Sequence, residues 1–253
     1  MIKLSNLTKR FGDLTAVDNL SLEVPAGEIF GFLGPNGAGK TTTVKILSGL
    51  LKPTSGKAVV AGHDVVAEPE AAKRVTAIVP DEPFVYPKLT GIEFLYFIGD
   101  LYDVPRKTQE AEIPRLLELF ELTKWRGELL ESYSHGMRQK LVIASALLRE
   151  PKVILLDEPM VGLDPKSARM VKNILLGLAQ KGAAIFMCTH ILEIAEKLCD
   201  RIGIMYEGRL VQLGTVDELR RKTGQGLTDS AGNKITLEDV FLTLTDGKEY
   251  SVL

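Results

Sequence analysis

The sequence predicts an α/β fold: a parallel sheet of short buried strands, an antiparallel sheet near the N-terminus and a mostly helical middle section. Three observations point there. Apolar runs too short for helices recur at residues 28–33, 75–79, 153–156 and 183–187, as in strands buried on both faces. From residue 90 to about 150 the pattern turns helical, with Leu116, Leu117, Leu119, Phe120 and Leu122 clustered by turns. A glycine-rich turn separates the first buried run from a helix-like one.

The elements follow in order. Residues 1–26 alternate apolar and polar in short runs (Ile2, Leu4; Ala16, Val17; Leu20, Leu22, Val24), broken by Gly12-Asp13 and Pro25-Ala26-Gly27. That is the pattern of an antiparallel edge sheet. After the run at 28–33 comes the glycine turn, and from 42 to 51 Val44, Ile46, Leu47, Leu50 and Leu51 lie roughly along one helical face. Thr54-Ser55-Gly56 and Ala61-Gly62-His63-Asp64 are turn signals around a strand at 57–61. The strand at 75–79 ends at Pro80, and a helix from about 166 to 180 joins the last two buried strands. Residues 223–233, rich in Gly, Thr and Ser, read as a loop. Thr236-Leu237-Glu238-Asp239 then opens a short helix, with Asp239 where a capping box usually has Glu. Leu237, Val240, Phe241 and Leu244 form an i, i+3, i+4, i+7 stripe that should dock on its own domain or on a partner.

At 253 residues the chain can build one large domain or a core with a subdomain. Lys+Arg total 31 and Asp+Glu 33, so no global charge draws it to nucleic acid or anionic lipid. Cys188 and Cys199 stand in no metal-ligand spacing and read as reduced thiols of a cytosolic protein. The N-terminus lacks a signal-peptide core, and no apolar run approaches the ~18–20 residues that span a bilayer.

The chemistry sits in two places. Gly34-Pro35-Asn36-Gly37-Ala38-Gly39-Lys40-Thr41 fits G-x-x-x-x-G-K-[ST] at every fixed position. Between strand and helix, such a turn aims backbone N–H groups inward at the positive end of the helix, and glycine lets phosphate oxygens approach. The loop lysine, Lys40, then reaches the β- and γ-phosphates while the Thr41 hydroxyl ligates Mg²⁺. The second place is Val153-Ile154-Leu155-Leu156-Asp157-Glu158, two acids at the C-terminal edge of a buried strand, where ligands of α/β sheets bind. Asp157 fits the acid that holds Mg²⁺ through water, paired with Thr41. Glu158 fits a general base polarising the attacking water.

Further motifs carry a family resemblance. Tyr133-Ser134-His135-Gly136-Met137-Arg138-Gln139-Lys140 resembles the LSGGQ signature of ATP-binding cassette (ABC) ATPases. Val161-Gly162-Leu163-Asp164-Pro165 resembles their D-loop, Cys188-Thr189-His190 their switch-histidine motif, and Arg10-Phe11-Gly12 their aromatic A-loop. Order and spacing agree from about residue 3 to 215. The resemblance implies a RecA-like P-loop core with an antiparallel β-subdomain and an inserted α-helical subdomain at about 84–150. It makes residues 1–215 the nucleotide-binding domain and 216–253 a C-terminal extension.

The resemblance also implies roles. Phe11 stacks on adenine; residues Gly34 to Thr42 cradle the phosphates; Ser134 and Gly136, with His135 and Met137 beside them, meet the γ-phosphate held by a second copy. Asp164 belongs to the D-loop, and His190 contacts the γ-phosphate and orients the water. As side chains, His63 and His135 read as structural. Two departures stand out. His135 replaces the first signature glycine and Met137 the glutamine, while Asp81 sits where the family has glutamine after the strand at 75–79. As a carboxylate Asp81 could join Asp157 and Thr41 at Mg²⁺, yet it would repel the γ-phosphate.

The expected protein is an ATP-hydrolysing subunit using ATP and Mg²⁺ at the cytoplasmic face of the membrane, as a homodimer or a heterodimer with another ABC ATPase. It would power a separate membrane-spanning permease. The signature variant, residues 188–200 and the ending Leu237-Glu238-Asp239-Val240-Phe241-Leu242-Thr243-Leu244-Thr245 resemble the antibiotic- and drug-exporter branch. An importer subunit shares the motifs. A soluble ABC ATPase acting on DNA or ribosomes fits less well. No heptads lie between Lys40 and Ser134, there is one cassette, and no basic surface calls for nucleic acid. Phe84 and Tyr86, in a loop between prolines, are candidates for the groove that receives the membrane partner.

Overall fold

The computed structural model describes residues 1–222 and 236–244. The chain starts as a hairpin of β1 (Ile2–Phe11) and β2 (Leu14–Val24), followed by β3 (Ile29–Leu33), the glycine turn and α1 (Lys40–Leu47). β4 (Ser55–Val60) and β5 (His63–Asp64) return to β1, completing an antiparallel sheet of order β2-β1-β4-β5. α2 (Pro69–Val75) leads into β6 (Thr76–Val79). α3 (Gly91–Leu101), α4 (Arg106–Leu119) and α5 (His135–Leu147) form the helical section before β7 (Val153–Asp157). α6 (Pro165–Gln180), β8 (Ala184–Cys188), α7 (Leu192–Leu198) and the hairpin β9 (Arg201–Tyr206)–β10 (Arg209–Gly214) finish the second sheet. α8 (Val216–Lys222) and α9 (Leu237–Leu244) follow.

The second sheet has order β10-β9-β3-β8-β7-β6, parallel except for β10. Its inner strands β3, β8 and β7 are buried throughout because both faces are covered, and alternate side chains feed two cores. Ile29, Leu33, Ile154, Leu156, Ile185 and Met187 face one cluster with the helical section. Phe30, Phe32, Leu155 and Phe186 face the other, with α1 and the antiparallel sheet. Phe32 and Phe186 stack with centroids 4.9 Å apart and tilted rings, a geometry favoured by the ring quadrupoles. The strands end together beside the glycine turn, so sheet order brings the turn next to the acids of β7.

Several expectations shift by a turn. α1 opens at Lys40 and ends at Leu47, where Gly49 (φ 71°) turns the chain, rather than running from 42 to 51. β4 stops at Val60 because Ala61 is left-handed (φ 48°). His63-Asp64 reads as a turn but also pairs with Val60 and Val59. The short helix α2 and the β9–β10 hairpin, whose turn uses Glu207 (φ 47°) and Gly208 (φ 79°), carry signals too brief to stand out in the sequence.

The C-terminal stripe docks on its own domain. Thr236 and Asp239 form the expected reciprocal cap: Thr236 N–H donates to Asp239 Oδ2 at 2.8 Å and Asp239 N–H to Thr236 Oγ1 at 3.2 Å. Leu237, Val240 and Phe241 are buried against α7 and α8. Glu196 ties the three helices together, pairing with buried Arg220 of α8 and accepting the Leu237 N–H at 3.1 Å. The loop expected at 223–233 lies outside the described residues.

Candidate functional site

The glycine turn is shaped by close backbone approaches. A methyl group added to Gly34 would lie 2.5 Å from the Met205 carbonyl oxygen, and one on Gly39 (φ 102°) would lie 2.3 Å from that of Ala16. Neither position tolerates a side chain. Ala38, Gly39 and Lys40 are buried, Pro35 is half-buried, and Asn36 and Gly37 are exposed. Gly39 provides no side-chain cap and the first turn of α1 has no acid. The first N–H groups of a helix have no partner within it, and a start of this kind can receive an anionic ligand. Lys40, 8% exposed, donates from Nζ to the carbonyls of Gly34 (2.6 Å) and Pro35 (3.0 Å), which holds its charge over the turn. Exposed Thr41 and half-buried Thr42 follow.

Thr41 Oγ1 donates to Asp157 Oδ2 at 3.0 Å. Asp157 is buried at the end of β7, and that burial pushes its carboxyl above the usual range. The Thr41 hydrogen bond and Lys40 oppose the shift, while Glu158 and Asp81 add to it. Buried Asp157 thus stands near Glu158, exposed Asp81 and one lysine, a set of charges that a divalent cation with phosphates would balance. Among the described residues no three such side chains form a metal cage. Mg²⁺ keeps waters and takes phosphate oxygens beside one or two protein ligands, and the Thr41 hydroxyl with the Asp157 carboxylate is a donor set of that size.

The register of β7 against β8 pairs Asp157 with Cys188, so the next residues, Glu158 and Thr189-His190, also meet. The Glu158 N–H donates to Cys188 O at 3.0 Å, and its backbone is left-handed (φ 49°), a conformation that costs an L-residue about 1–2 kcal/mol. Thr189 Oγ1 donates to Glu158 Oε2 at 3.0 Å, and His190 Nδ1 lies 2.8 Å from Oε1. Both carboxylate oxygens are therefore held in place, with the Glu158 side chain 12% and the His190 ring 55% exposed. In the sequence Thr189 stands out only as part of its motif; a hydroxyl beside the histidine is the available signal. Cys188 and Cys199 are free and buried. Burial pushes Cys199 up to about 12 and Cys188 well above the ordinary thiol range, so neither is a nucleophile at neutral pH.

Ser134 is the N-cap of α5 and accepts from Met137 N–H at 3.3 Å. Gly136 and Met137 are half-buried beside it, and exposed His135 packs on Gly162 of the following turn. Asp164 caps α6, accepting from Lys166 and Ser167 N–H at 3.0 Å each. Phe11 ends β1 with its ring 48% exposed and Lys9 Nζ 4.9 Å from the ring centre. His63 pairs with Glu68 at 3.2 Å, a local structural contact. Asp81 is exposed. The loop after it divides: Val85 is buried in the core, while Phe84 (73% exposed), Tyr86 (45%) and Phe97 (40%) form a row of edge-to-face rings.

Comparison with known proteins gives the family and the fold. A family model described as ABC transporter matches residues 17–161. The chain is 39% identical over 226 residues to the daunorubicin/doxorubicin resistance ATP-binding protein DrrA of Streptomyces peucetius, covering 89% of this chain and 68% of that protein. It is 36% identical over 224 residues to the linearmycin resistance ATP-binding protein LnrL of Bacillus subtilis, covering 88% and 72%. Among solved structures it resembles an ATP-binding subunit of an ABC transporter with TM-score 0.89 and 31% identity, covering 96% of this chain and 99% of that one. It also resembles MJ0796, a dimeric ATP-binding cassette in a post-hydrolysis state bound to ADP and Pi, with TM-score 0.77 and 26% identity, covering 85% and 98%. The RecA-like core, antiparallel β-subdomain and helical subdomain match the fold of these cassettes.

Proposed function

The chain belongs to the ABC transporter family as an ATP-hydrolysing, ATP-binding subunit homologous to drug-resistance exporter ATPases, and we propose that it drives a separate membrane-spanning exporter by hydrolysing ATP between two copies of itself. One observation carries the reading. Consecutive residues at the end of β7 face opposite tasks, Asp157 bonded to Thr41 of the phosphate turn and Glu158 held by Thr189 and His190.

Residues 1–215 form the working cassette, and 216–253 extend it. Phe11 stacks on adenine, and residues Gly34 to Thr42 wrap the phosphates, with Lys40 supplying charge at the β- and γ-positions. Thr41 and Asp157 are the residues that would hold Mg²⁺, which would supply positive charge beside the phosphates. Glu158 takes a proton from a water whose oxygen bonds to the γ-phosphorus, while the bond from that phosphorus to the ADP oxygen breaks. His190 keeps the carboxylate aimed and contacts the γ-phosphate. A second copy closes the site with Ser134, Gly136 and the N-terminus of its α5. The dimeric state of the MJ0796 cassette supports this pairing, and the resistance names of the relatives support export.

The row Phe84–Tyr86–Phe97 is the surface offered to the membrane subunit. Tyr86→Ala should lower its apparent affinity for that subunit about tenfold, as a buried aromatic anchor does; unchanged capture in a pull-down would make the row structural. Asp81, close enough to raise the Asp157 carboxyl, takes part in Mg²⁺-ATP binding. Asp81→Asn should move the Mg²⁺ midpoint of hydrolysis about two- to fivefold upward, the effect of one exposed charge. An unchanged titration would remove Asp81 from the site.

A further inference from the structure

His135, whose side chain reads as structural in the sequence, sits where the signature otherwise has glycine. It is the first residue of α5, beside the N-cap Ser134. Its ring lies on Gly162: a methyl group added there would fall 2.5 Å from His135 Cδ2 and 3.0 Å from Nε2. The backbones meet as well, since a methyl group on Gly136 would come within 3.1 Å of Gly162 O. Gly162 is left-handed (φ 74°) and follows Glu158 through tight turns, with Val161 N–H on Glu158 O at 3.2 Å and Leu163 N–H on Met160 O at 3.3 Å.

We propose that His135 is a positioning residue that couples Glu158 to the phosphate contact its own chain offers a second copy. Glu158 belongs to the chain's own ATP site, whereas Ser134 serves the site of the other copy. The turn from Glu158 to Leu163 is the short path between them, and the imidazole closes its far end. A glycine at residue 135 would leave only the backbone approach of Gly136 to Gly162, so the turn and the start of α5 could shift more freely against each other. Lys166, just past the turn, also pairs with Glu121 of the helical section, so His135 is the contact at the signature end of a two-point attachment. The proposal rests on the dimeric reading above.

The test is a double-mutant cycle on residues 135 and 162, with ATP affinity measured separately by calorimetry on dilute protein. His135→Gly should lower kcat about tenfold and leave Mg²⁺-ATP affinity within about twofold, a split that loss of fold would not produce. Gly162→Ala should lower kcat in the wild-type background, and about tenfold less so in His135→Gly, because the ring it collides with is gone. Losses that simply multiply, or wild-type kcat in His135→Gly, would overturn the coupling. If Gly162→Ala does not fold, the kcat of His135→Gly alone decides. Glu158→Gln separates the two layers. If it retains wild-type turnover, the hydrolytic reading falls. If it is inactive while the cycle shows no coupling, only this inference falls.

Discussion

Glu158→Gln should abolish most turnover while leaving ATP binding nearly intact. The substitution keeps the shape, with its amide oxygen able to accept from one of Thr189 and His190 and its NH₂ donating to the other, but on the proposed mechanism it removes the group that accepts a proton. General-base catalysis of this kind contributes about 10²- to 10⁴-fold, and kcat should fall within that range. The affinity of the isolated chain for Mg²⁺-ATP should stay near the wild-type value, because Glu158 is not bonded to the phosphate turn; its partners are Thr189, His190 and the Cys188 carbonyl. Steady-state hydrolysis together with calorimetry reads both quantities. A variant with most of the wild-type rate would place the base elsewhere.

Lys40→Ala acts on the ground state. Its ammonium is buried and held by two backbone carbonyls over the turn; in the proposed mechanism it neutralises phosphate charge on binding as well as in the transition state. Charge-assisted hydrogen bonds are worth about 1.5–3 kcal/mol, which corresponds to roughly 10- to 150-fold in affinity. Calorimetry should show a loss in that range, along with lost turnover. Unchanged affinity would mean that the turn is not the phosphate site.

The candidate site is legible in the sequence where its residues are contiguous. Residues 34–41 and 153–158 each carry their spacing in one run, and the strand pairing of β7 with β8 then brings His190 to Glu158. What stayed hidden depends on contacts between distant segments. Phe84, Val85 and Tyr86 look alike as sequence, yet the core takes only Val85. The ring of His135 against Gly162 is a meeting of α5 with a later turn that no local pattern encodes. Short elements were missed for a related reason: β5 has only the residues His63-Asp64, stabilised by pairing with β4 rather than by its own propensity. The C-terminal helix was readable from its cap and stripe, while its choice of its own domain came from the Glu196–Arg220 pair and the surfaces of α7 and α8.

The central claim is that ATP is hydrolysed between two copies, each supplying Glu158 to one nucleotide and Ser134 to the other. The most direct measurement is the mass of Glu158→Gln by gel filtration with light scattering, with and without ATP and Mg²⁺. The account predicts a monomer without nucleotide and a stable dimer once both ATP and Mg²⁺ are present. A variant that binds ATP and remains monomeric, or a dimer whose formation is indifferent to nucleotide, would contradict it.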